Sequence, residues 1–208
     1  MITVRGLWVV VGGATVLDGV DLHVATGEVV ALTGENGAGK STLIRCVAGL
    51  RRPTAGTVTV LGAEPDDGPA FWRDVALVAD EPAWYPGLTA REHLELVRRT
   101  HGTAAGPVED VLTFVGLTGR ADAPPTELST GQRQRLAIGA ALVRPSRVLL
   151  LDEPEHGLDA AFRRTLADHL RRYAAEGGAV LLATHDTGLI GRAGARAVVL
   201  DNGRTVPA

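Results

Sequence analysis

The chain has 208 residues, 45% hydrophobic and 22% charged, with a formal net charge of −3. This length allows one sizeable core, or one core with a small attached lobe. The arginines are scattered or paired, and no dense basic block predicts a nucleic-acid partner. The single cysteine, Cys46, excludes an internal disulfide, and its apolar neighbours predict a small buried residue.

The N-terminus MITVRGL lacks the basic and apolar regions of a secretory signal. The apolar runs are shorter than the roughly 20 residues that cross a bilayer. We therefore expect a soluble chain. If it works at a membrane, another chain must provide the span.

Short β-rich runs alternate with helical patterns along the chain. A helix is expected from about Ser41 to Gly49, and another from Asp159, as N-cap, to Glu176, with Gly177 just beyond its end. Asn202-Gly203 between strand-like flanks predicts a hairpin. Continuous apolar runs at 147–152 and 179–184 are typical of parallel strands covered on both faces. The predicted strands are 28–33, 57–62, 75–79, 147–152 and 179–184.

The middle of the chain, about 80–145, differs from the rest. It has helical patterns at TAREHLELVRRTHG and VEDVLTFVG, separated by Pro and Gly breaks, and no convincing strand. We interpret it as a helical subdomain inserted into an α/β core lobe of about 1–79 and 146–208.

The run GENGAGKS follows a predicted strand, opens a predicted helix and matches the phosphate-loop pattern G-x-x-x-x-G-K-[ST]. Its glycines let backbone N–H groups surround a triphosphate, and the helix start adds partial positive charge. Lys40, the only lysine in the chain, is expected to reach the β and γ phosphates, and Ser41 to bind Mg²⁺. The alternative is a Gly-rich turn that binds nothing. The residues expected to hold the nucleotide here are Gly34, Glu35, Asn36, Gly37, Ala38, Gly39, Lys40, Ser41 and Thr42.

The run RVLLLDEP supplies two acidic residues at the end of a predicted buried strand. Asp152 is expected to hold Mg²⁺ opposite the phosphate loop. Glu153 faces the space from which water would attack the γ-phosphate, and is the candidate general base. A surface acidic pair at a strand end is the alternative interpretation.

The stretch 128–159, LSTGQRQRLAIGAALVRPSRVLLLDEPEHGLD, resembles the ATP-binding cassette (ABC) ATPases, the nucleotide-binding subunits of ABC transporters. LSTGQ is similar to the family's signature motif, with one threonine in place of a usual glycine, and GLD is similar to its D-loop. His185 in LLATHD matches the switch histidine that contacts the γ-phosphate and the attacking water. The order of motifs agrees from about residue 3 to 206. The resemblance implies that ATP held by the other subunit of a head-to-tail dimer is contacted by Ser129, Thr130, Gly131 and Gln132, with Asp159 in the D-loop.

Two positions depart from the family's pattern. The aromatic residue that usually stacks on adenine falls at Val11, and Trp8 lies three residues too early; Val11 can give only apolar contact. The Q-loop glutamine falls on Asp80, which can ligate Mg²⁺ but adds negative charge beside a triphosphate. Our hypothesis is that Asp80 still senses the γ-phosphate, with altered coupling.

The resemblance implies a P-loop α/β fold of the ABC ATPase type, with a mixed-sheet core, an N-terminal antiparallel β part and an inserted helical subdomain. ATP and Mg²⁺ are the expected cofactors. The expected function is ATP hydrolysis at the interface with a second, identical or homologous, cassette. A separate integral membrane subunit, contacting Trp84 and Tyr85, would use that energy for transport. For this aromatic pair, packing in the core is the alternative.

We expect a cytoplasmic protein at the inner face of the membrane, and the LSTGQ-type signature favours export. Two other interpretations stay open. One is a soluble ABC ATPase that acts on ribosomes or DNA, which the single cassette disfavours. The other is a catalytically weak regulatory subunit of a heterodimer, motivated by Val11 and Asp80.

Overall fold

The computed structural model describes residues 1–79, 82–101 and 107–206. The chain opens with a three-stranded antiparallel sheet in which β1 lies between β2 and β4. This sheet is the antiparallel part expected near the N-terminus. Its strands are β1 (Ile2–Val11), β2 (Ala14–Val24) and β4 (Ala55–Val60).

A second sheet has six strands in the order β5-β6-β7-β3-β8-β9. Its neighbouring strands are parallel except for the final hairpin. Every residue of β6 and β7 is buried, because both faces of the sheet are covered. The strands are β3 (Val29–Thr33), β5 (Val75–Val78), β6 (Val148–Asp152), β7 (Ala179–Ala183), β8 (Arg196–Asp201) and β9 (Arg204–Val206).

Seven α-helices are found in the described ranges, and they cover the six-stranded sheet on both faces. Leu149 and Leu151 of β6 point to the core beneath α3 to α6, whereas Leu150 points to the core shared by α1 and the antiparallel sheet. The helices are α1 (Lys40–Val47), α2 (Pro69–Asp74), α3 (Ala90–His101), α4 (Val108–Phe114), α5 (Thr130–Leu142), α6 (Ala160–Ala175) and α7 (Thr187–Ala193).

The predicted local signals agree with these elements. Asp159 caps α6 by accepting the Phe162 N–H at 2.8 Å, and Gly177 follows the helix with φ 97°. Asn202 and Gly203 both have positive φ (46° and 77°), as a two-residue hairpin turn of type I′ requires. Cys46 is buried, and this burial raises the pKa of its thiol to about 11.

Three details differ from the sequence-based expectation. The sequence predicts a helix that starts near Gln132, at the end of LSTGQ, whereas α5 begins at Thr130 because the Ser129 side chain caps it. Helix α2 was not predicted because it has only six residues, and α7 because it contains two glycines, which are weak helix formers.

Helices α3, α4 and α5 follow one another between β5 and β6, and no strand occurs among the described residues of that stretch. They share one apolar core with the parallel sheet. The division into a core lobe and a helical subdomain stays a prediction. Within the described ranges, no helix combines the length and the apolar character that a bilayer crossing requires.

Candidate nucleotide site

Three loops with predicted site residues follow neighbouring strands of the six-stranded sheet. β7 lies between β6 and β3, and all three run parallel, so their carboxyl ends share one edge. Backbone hydrogen bonds join the first residue of two of these loops to the neighbouring strand: Glu153 N donates to Ala183 O of β7 at 3.0 Å, and Thr184 N to Leu32 O of β3 at 3.1 Å. Ligands of open α/β sheets bind beyond this edge.

The phosphate loop ends at Gly39, the N-cap of α1, with φ 104°. A Cβ atom at Gly39 would lie 2.6 Å from Leu17 Cδ2 and 2.9 Å from Val16 O, so only glycine fits beneath β2. Glycine also has no side chain to cap the first N–H groups of α1. These groups are therefore directed at whatever the loop encloses, which is the arrangement of a helix-start anion site.

Lys40 is 4% exposed and lies inside the loop that precedes it. Its Nζ donates to Gly34 O at 2.8 Å and to Glu35 O at 3.0 Å. An ammonium has three N–H donors, so two hold the side chain within the loop and the third can be directed to a phosphate oxygen.

Ser41 and Asp152 bring two oxygen ligands together beside this loop. Ser41 Oγ donates to Asp152 Oδ1 at 2.9 Å, and Asp152 is 4% exposed at the end of β6. A hydroxyl and a carboxylate are the hard oxygen donors that Mg²⁺ prefers, and Mg²⁺ usually completes its shell with water and phosphate. The residues therefore fit the predicted metal.

Glu153 adopts a left-handed backbone conformation with φ 48°. For a residue other than glycine this costs about 1–3 kcal/mol, and such strain is concentrated at functional sites. The conformation directs Glu153 into a cavity of about 370 Å³ beside the phosphate loop. The cavity is lined by Val16, Asn36, Gly37, Gly39, Lys40, Ser41, Thr42 and Glu153.

His185 lies just after β7, at the same sheet edge as Glu153. Its backbone N–H donates to Glu155 Oε1 at 2.9 Å, and its side chain is exposed. The ring is not among the residues that line the cavity. Its predicted contact with the γ-phosphate stays a proposal.

The four signature residues occupy the exposed start of α5. Ser129 Oγ accepts the Gln132 N–H at 3.2 Å, and Gln132 Oε1 accepts the Ser129 N–H at 2.9 Å. This reciprocal pair is a capping box. The Ser129 hydroxyl hydrogen is still available for a phosphate. The signature residues 129–132 do not line the phosphate-loop cavity of their own chain.

Val11, with the nearby Trp8, and Asp80 mark the two departures from the family's pattern. Val11 is 39% exposed at the end of β1, outside the cavity lining, whereas Val16 on β2 forms the apolar wall and was missed. Val16 is one of many valines in the β-strands, and nothing in the sequence marks it as a residue that lines the site. Trp8 is 39% exposed on β1. Asp80 lies outside the described residues.

Trp84 and Tyr85 differ in their environments. Trp84 packs against the main apolar core, whereas Tyr85 is 63% exposed. Both rings lie beside buried His93, whose Nε2 accepts the Tyr85 N–H at 2.8 Å and whose Nδ1 lies 3.1 Å from Thr89 O. Since a carbonyl only accepts, Nδ1 carries the proton. His93 therefore holds the aromatic segment in place, a contact that the sequence pattern did not reveal.

Comparisons with known proteins show the family of this chain. The family model described as ABC transporter matches residues 17–156. The chain belongs to the ABC transporter family.

Two curated relatives of this ABC cassette illustrate the range of the family. The cytochrome c biogenesis ATP-binding export protein CcmA of Rhodopseudomonas palustris (strain BisB5) is 41% identical over 185 residues, covering 87% of this chain and 90% of the relative. The sulfate/thiosulfate import ATP-binding protein CysA of Mycolicibacterium paratuberculosis is 39% identical over 208 residues, covering 98% of this chain and 58% of the relative.

Two solved structures match the whole fold. The ATP-binding subunit of an ABC transporter has a TM-score of 0.89 at 32% identity, covering 99% of this chain and 88% of that one. A dimeric post-hydrolysis cassette bound to ADP and Pi has a TM-score of 0.87 at 25% identity, covering 100% and 97%. The chain is thus an ABC ATPase that binds ATP, and the predicted fold class is confirmed.

In this ABC cassette, the signature helix α5 contacts the segment that precedes α6. Gln134 Nε2 donates to Pro154 O at 3.3 Å, and the Arg135 guanidinium pairs with Asp159 while lying 4.5 Å from the centre of the Phe162 ring. The pKa of Asp159 lies below its usual value because its carboxylate accepts the Phe162 N–H and faces Arg135. Asp159 thus also joins α5 to α6, a role that sequence reasoning missed.

Gly131 lies where α5 closely approaches the segment that precedes α6. A Cβ atom there would lie 2.3 Å from the Gly157 carbonyl oxygen, so Gly131→Ala forces the two segments apart. We expect it to lower the free energy of unfolding by about 1–3 kcal/mol, as overpacking does. Thermal denaturation measures this loss.

The matched control is Gly119→Ala, where an added Cβ meets nothing within 4 Å. It should leave the melting temperature nearly unchanged. If Gly131→Ala had the same melting temperature as Gly119→Ala, the close approach at Gly131 would not contribute to stability.

Proposed function

We propose that this cassette hydrolyses MgATP at the interface of a head-to-tail dimer and powers transport through a separate membrane-spanning subunit. The observation that carries the proposal is one cavity whose lining includes Lys40, Ser41 and Glu153, with Asp152 hydrogen-bonded to Ser41. These groups match the needs of phosphoryl transfer to water: charge neutralisation, metal binding and a base.

Each residue has a separate task in the proposed reaction. Lys40 and the N–H groups at the start of α1 bind the β and γ phosphates. Ser41 and Asp152 hold Mg²⁺, which neutralises charge on the phosphate oxygens when it is bound. Glu153 accepts a proton from the attacking water, and His185 donates a hydrogen bond to a γ-phosphate oxygen.

A second cassette would complete the site. Ser129 and Thr130 are exposed at the start of α5, and the signature residues are outside the lining of their own chain's cavity. A helix start of this kind suits an anion, so the phosphate that it binds belongs to the opposite subunit. The dimeric post-hydrolysis cassette supports this assembly. The partner is a second copy or a homologous cassette.

The membrane subunit would contact the exposed aromatic at Tyr85. We expect Tyr85→Ser to lower the ratio of partner-stimulated to basal ATPase rate by several fold, because an exposed aromatic anchor of an interface is often worth about 2 kcal/mol or more. Leu50→Ser, at an apolar side chain that is 52% exposed elsewhere, is the control. An unchanged ratio in Tyr85→Ser would exclude this residue from the contact.

For the direction of transport we favour export, with the cassette at the cytoplasmic face of the membrane. CcmA, named as an export protein, is matched over 90% of its length, whereas CysA, named for import, is matched over 58%. Reconstitution with the membrane subunit in vesicles tests the direction, since export and import move cargo to opposite sides.

Steady-state ATPase activity, measured with and without the membrane subunit, tests the function as a whole. The proposal predicts a basal rate that depends on Mg²⁺ and rises with the partner. If the membrane subunit raised the ATPase rate only when a homologous cassette was also present, this chain would be the catalytically weak subunit of a heterodimer. A rate that no membrane subunit changes would contradict the transport role.

A further inference from the structure

Glu155 connects the loop of the proposed base to the loop of the proposed switch histidine. Its Oε1 accepts the Thr184 hydroxyl at 2.5 Å and the His185 backbone N–H at 2.9 Å. Its Oε2 is buried and has no hydrogen-bond donor among the described residues. One carboxylate oxygen therefore holds the start of the loop that follows β7.

The backbone of Glu155 belongs to the turn that begins at Glu153. His156 N donates to Glu153 O at 3.1 Å, and Leu158 N donates to Glu155 O at 3.0 Å. Glu153 N is bound in turn to Ala183 O at 3.0 Å. Because Glu153 and Glu155 share one hydrogen-bonded turn, the Glu155 carboxylate ties the position of His185 to that of Glu153.

Thr184, which is fully buried, links Glu155 to Asp186, the residue that follows His185. The Thr184 hydroxyl donates to Glu155 and accepts the Asp186 N–H at 3.0 Å. The N–H groups of His185 and Asp186 are thus held by Glu155, directly or through one hydroxyl. The backbone that carries the imidazole is therefore held on both sides.

The far end of this short loop is anchored as well. Asp186 Oδ1 accepts the Leu189 N–H at 2.9 Å and so caps α7. Asp186 Oδ2 accepts from Arg163 of α6 at 2.8 Å. Among these contacts, those of the Glu155 side chain join the loop of His185 to the turn that begins at Glu153.

We propose that Glu155 is a positioning residue for ATP hydrolysis, which places the His185 imidazole relative to the water activated by Glu153. This inference rests on the proposed function, since it needs the roles of both residues. A small misplacement of a reacting group lowers a rate strongly, and loss of an outer-shell hydrogen-bond partner typically costs roughly 10- to 100-fold.

The test compares Glu155→Ala with Glu155→Gln in the full-length protein. Alanine removes both hydrogen bonds, whereas glutamine keeps an acceptor oxygen at the same reach. We expect kcat for ATP to fall roughly 10- to 100-fold in Glu155→Ala, with KM changed less than about threefold, and to recover in Glu155→Gln. A normal kcat in Glu155→Ala, or no recovery in Glu155→Gln, would overturn the proposal.

Two further variants separate positioning from general stability. Asp168→Ala removes a carboxylate that joins α6 to Arg192 of α7 at 2.6 Å without touching the loop, and its kcat should stay normal. Thr184→Val keeps the side-chain shape but removes the hydroxyl that binds both Glu155 and Asp186, and should lower kcat in the same direction as Glu155→Ala, by a smaller factor. Thr184→Val also tests the positioning of His185 if Glu155→Ala does not fold. A normal kcat in Thr184→Val would count against positioning.

A double-mutant cycle with His185→Ala identifies the residue through which Glu155 acts. If Glu155 works through His185, Glu155→Ala causes little further loss of kcat in the His185→Ala background. Additive losses would overturn the proposal. If kcat falls in His185→Ala but stays normal in Glu155→Ala, only the positioning role of Glu155 is overturned. If kcat stays normal in His185→Ala, the proposed role of the histidine itself is overturned.

Discussion

Replacing Glu153 with Gln is expected to lower kcat for ATP by about 10²–10⁴-fold, the usual contribution of a general base, while MgATP binding is retained. Glutamine has nearly the same shape but cannot take a proton from water. Glutamine must adopt the same left-handed backbone (φ 48°), so this substitution adds no new backbone strain. The melting temperature should therefore change little.

The measurements are single-turnover hydrolysis, binding of a fluorescent ATP analogue, and size by light scattering. Because ATP stays intact, the variant should accumulate as an ATP-bound dimer. Glu176→Gln, at the exposed end of α6, removes an equivalent charge away from the cavity and should hydrolyse normally. Normal hydrolysis by Glu153→Gln would remove the central residue of the proposed mechanism.

Replacing Lys40 with Arg is expected to weaken MgATP binding roughly 10- to 100-fold, since a hydrogen bond to a charged group is worth about 1.5–3 kcal/mol. Lys40 is 4% exposed, and its ammonium lies within 3.0 Å of two loop carbonyl oxygens. Arginine has a wide planar fork with five donors, which does not fit where a compact ammonium lies between two carbonyls.

Titration calorimetry with MgATP measures this change. Arg45→Lys is the matched control, because it is the reverse exchange on the same helix at an exposed position. It should bind MgATP as the unaltered chain does. Equal affinity in Lys40→Arg would show that positive charge alone is sufficient at this position.

The short-range features of the fold could be predicted because their causes are local. The capping of α6 by Asp159 depends on the N–H of Phe162, only three positions away. The buried runs of β6 and β7 reflect a sheet covered on both faces. The phosphate loop and the acidic pair likewise occupy single continuous segments.

Contacts between segments could not be predicted from local pattern. Val16 forms the apolar wall of the phosphate-loop cavity because the β1–β2 hairpin turns back and brings Val16 and Leu17 over Gly39. The predicted contact of Val11 with adenine stays a proposal. Nothing in the local sequence pattern indicates how this hairpin folds, so Val16 could not be selected from the sequence.

The amino-acid order was sufficient to predict the groups of the proposed site in this ABC ATPase: a lysine in a glycine-rich loop, a serine and an aspartate as proposed metal ligands, and a glutamate as proposed base. Their placement depends on strand order. Glu155 and His185 are 30 residues apart, yet they are hydrogen-bonded because β7 lies directly beside β6. Periodicity and capping act over a few residues, whereas the neighbours of a strand are chosen by burial of the whole sheet, and only folding brings these groups together.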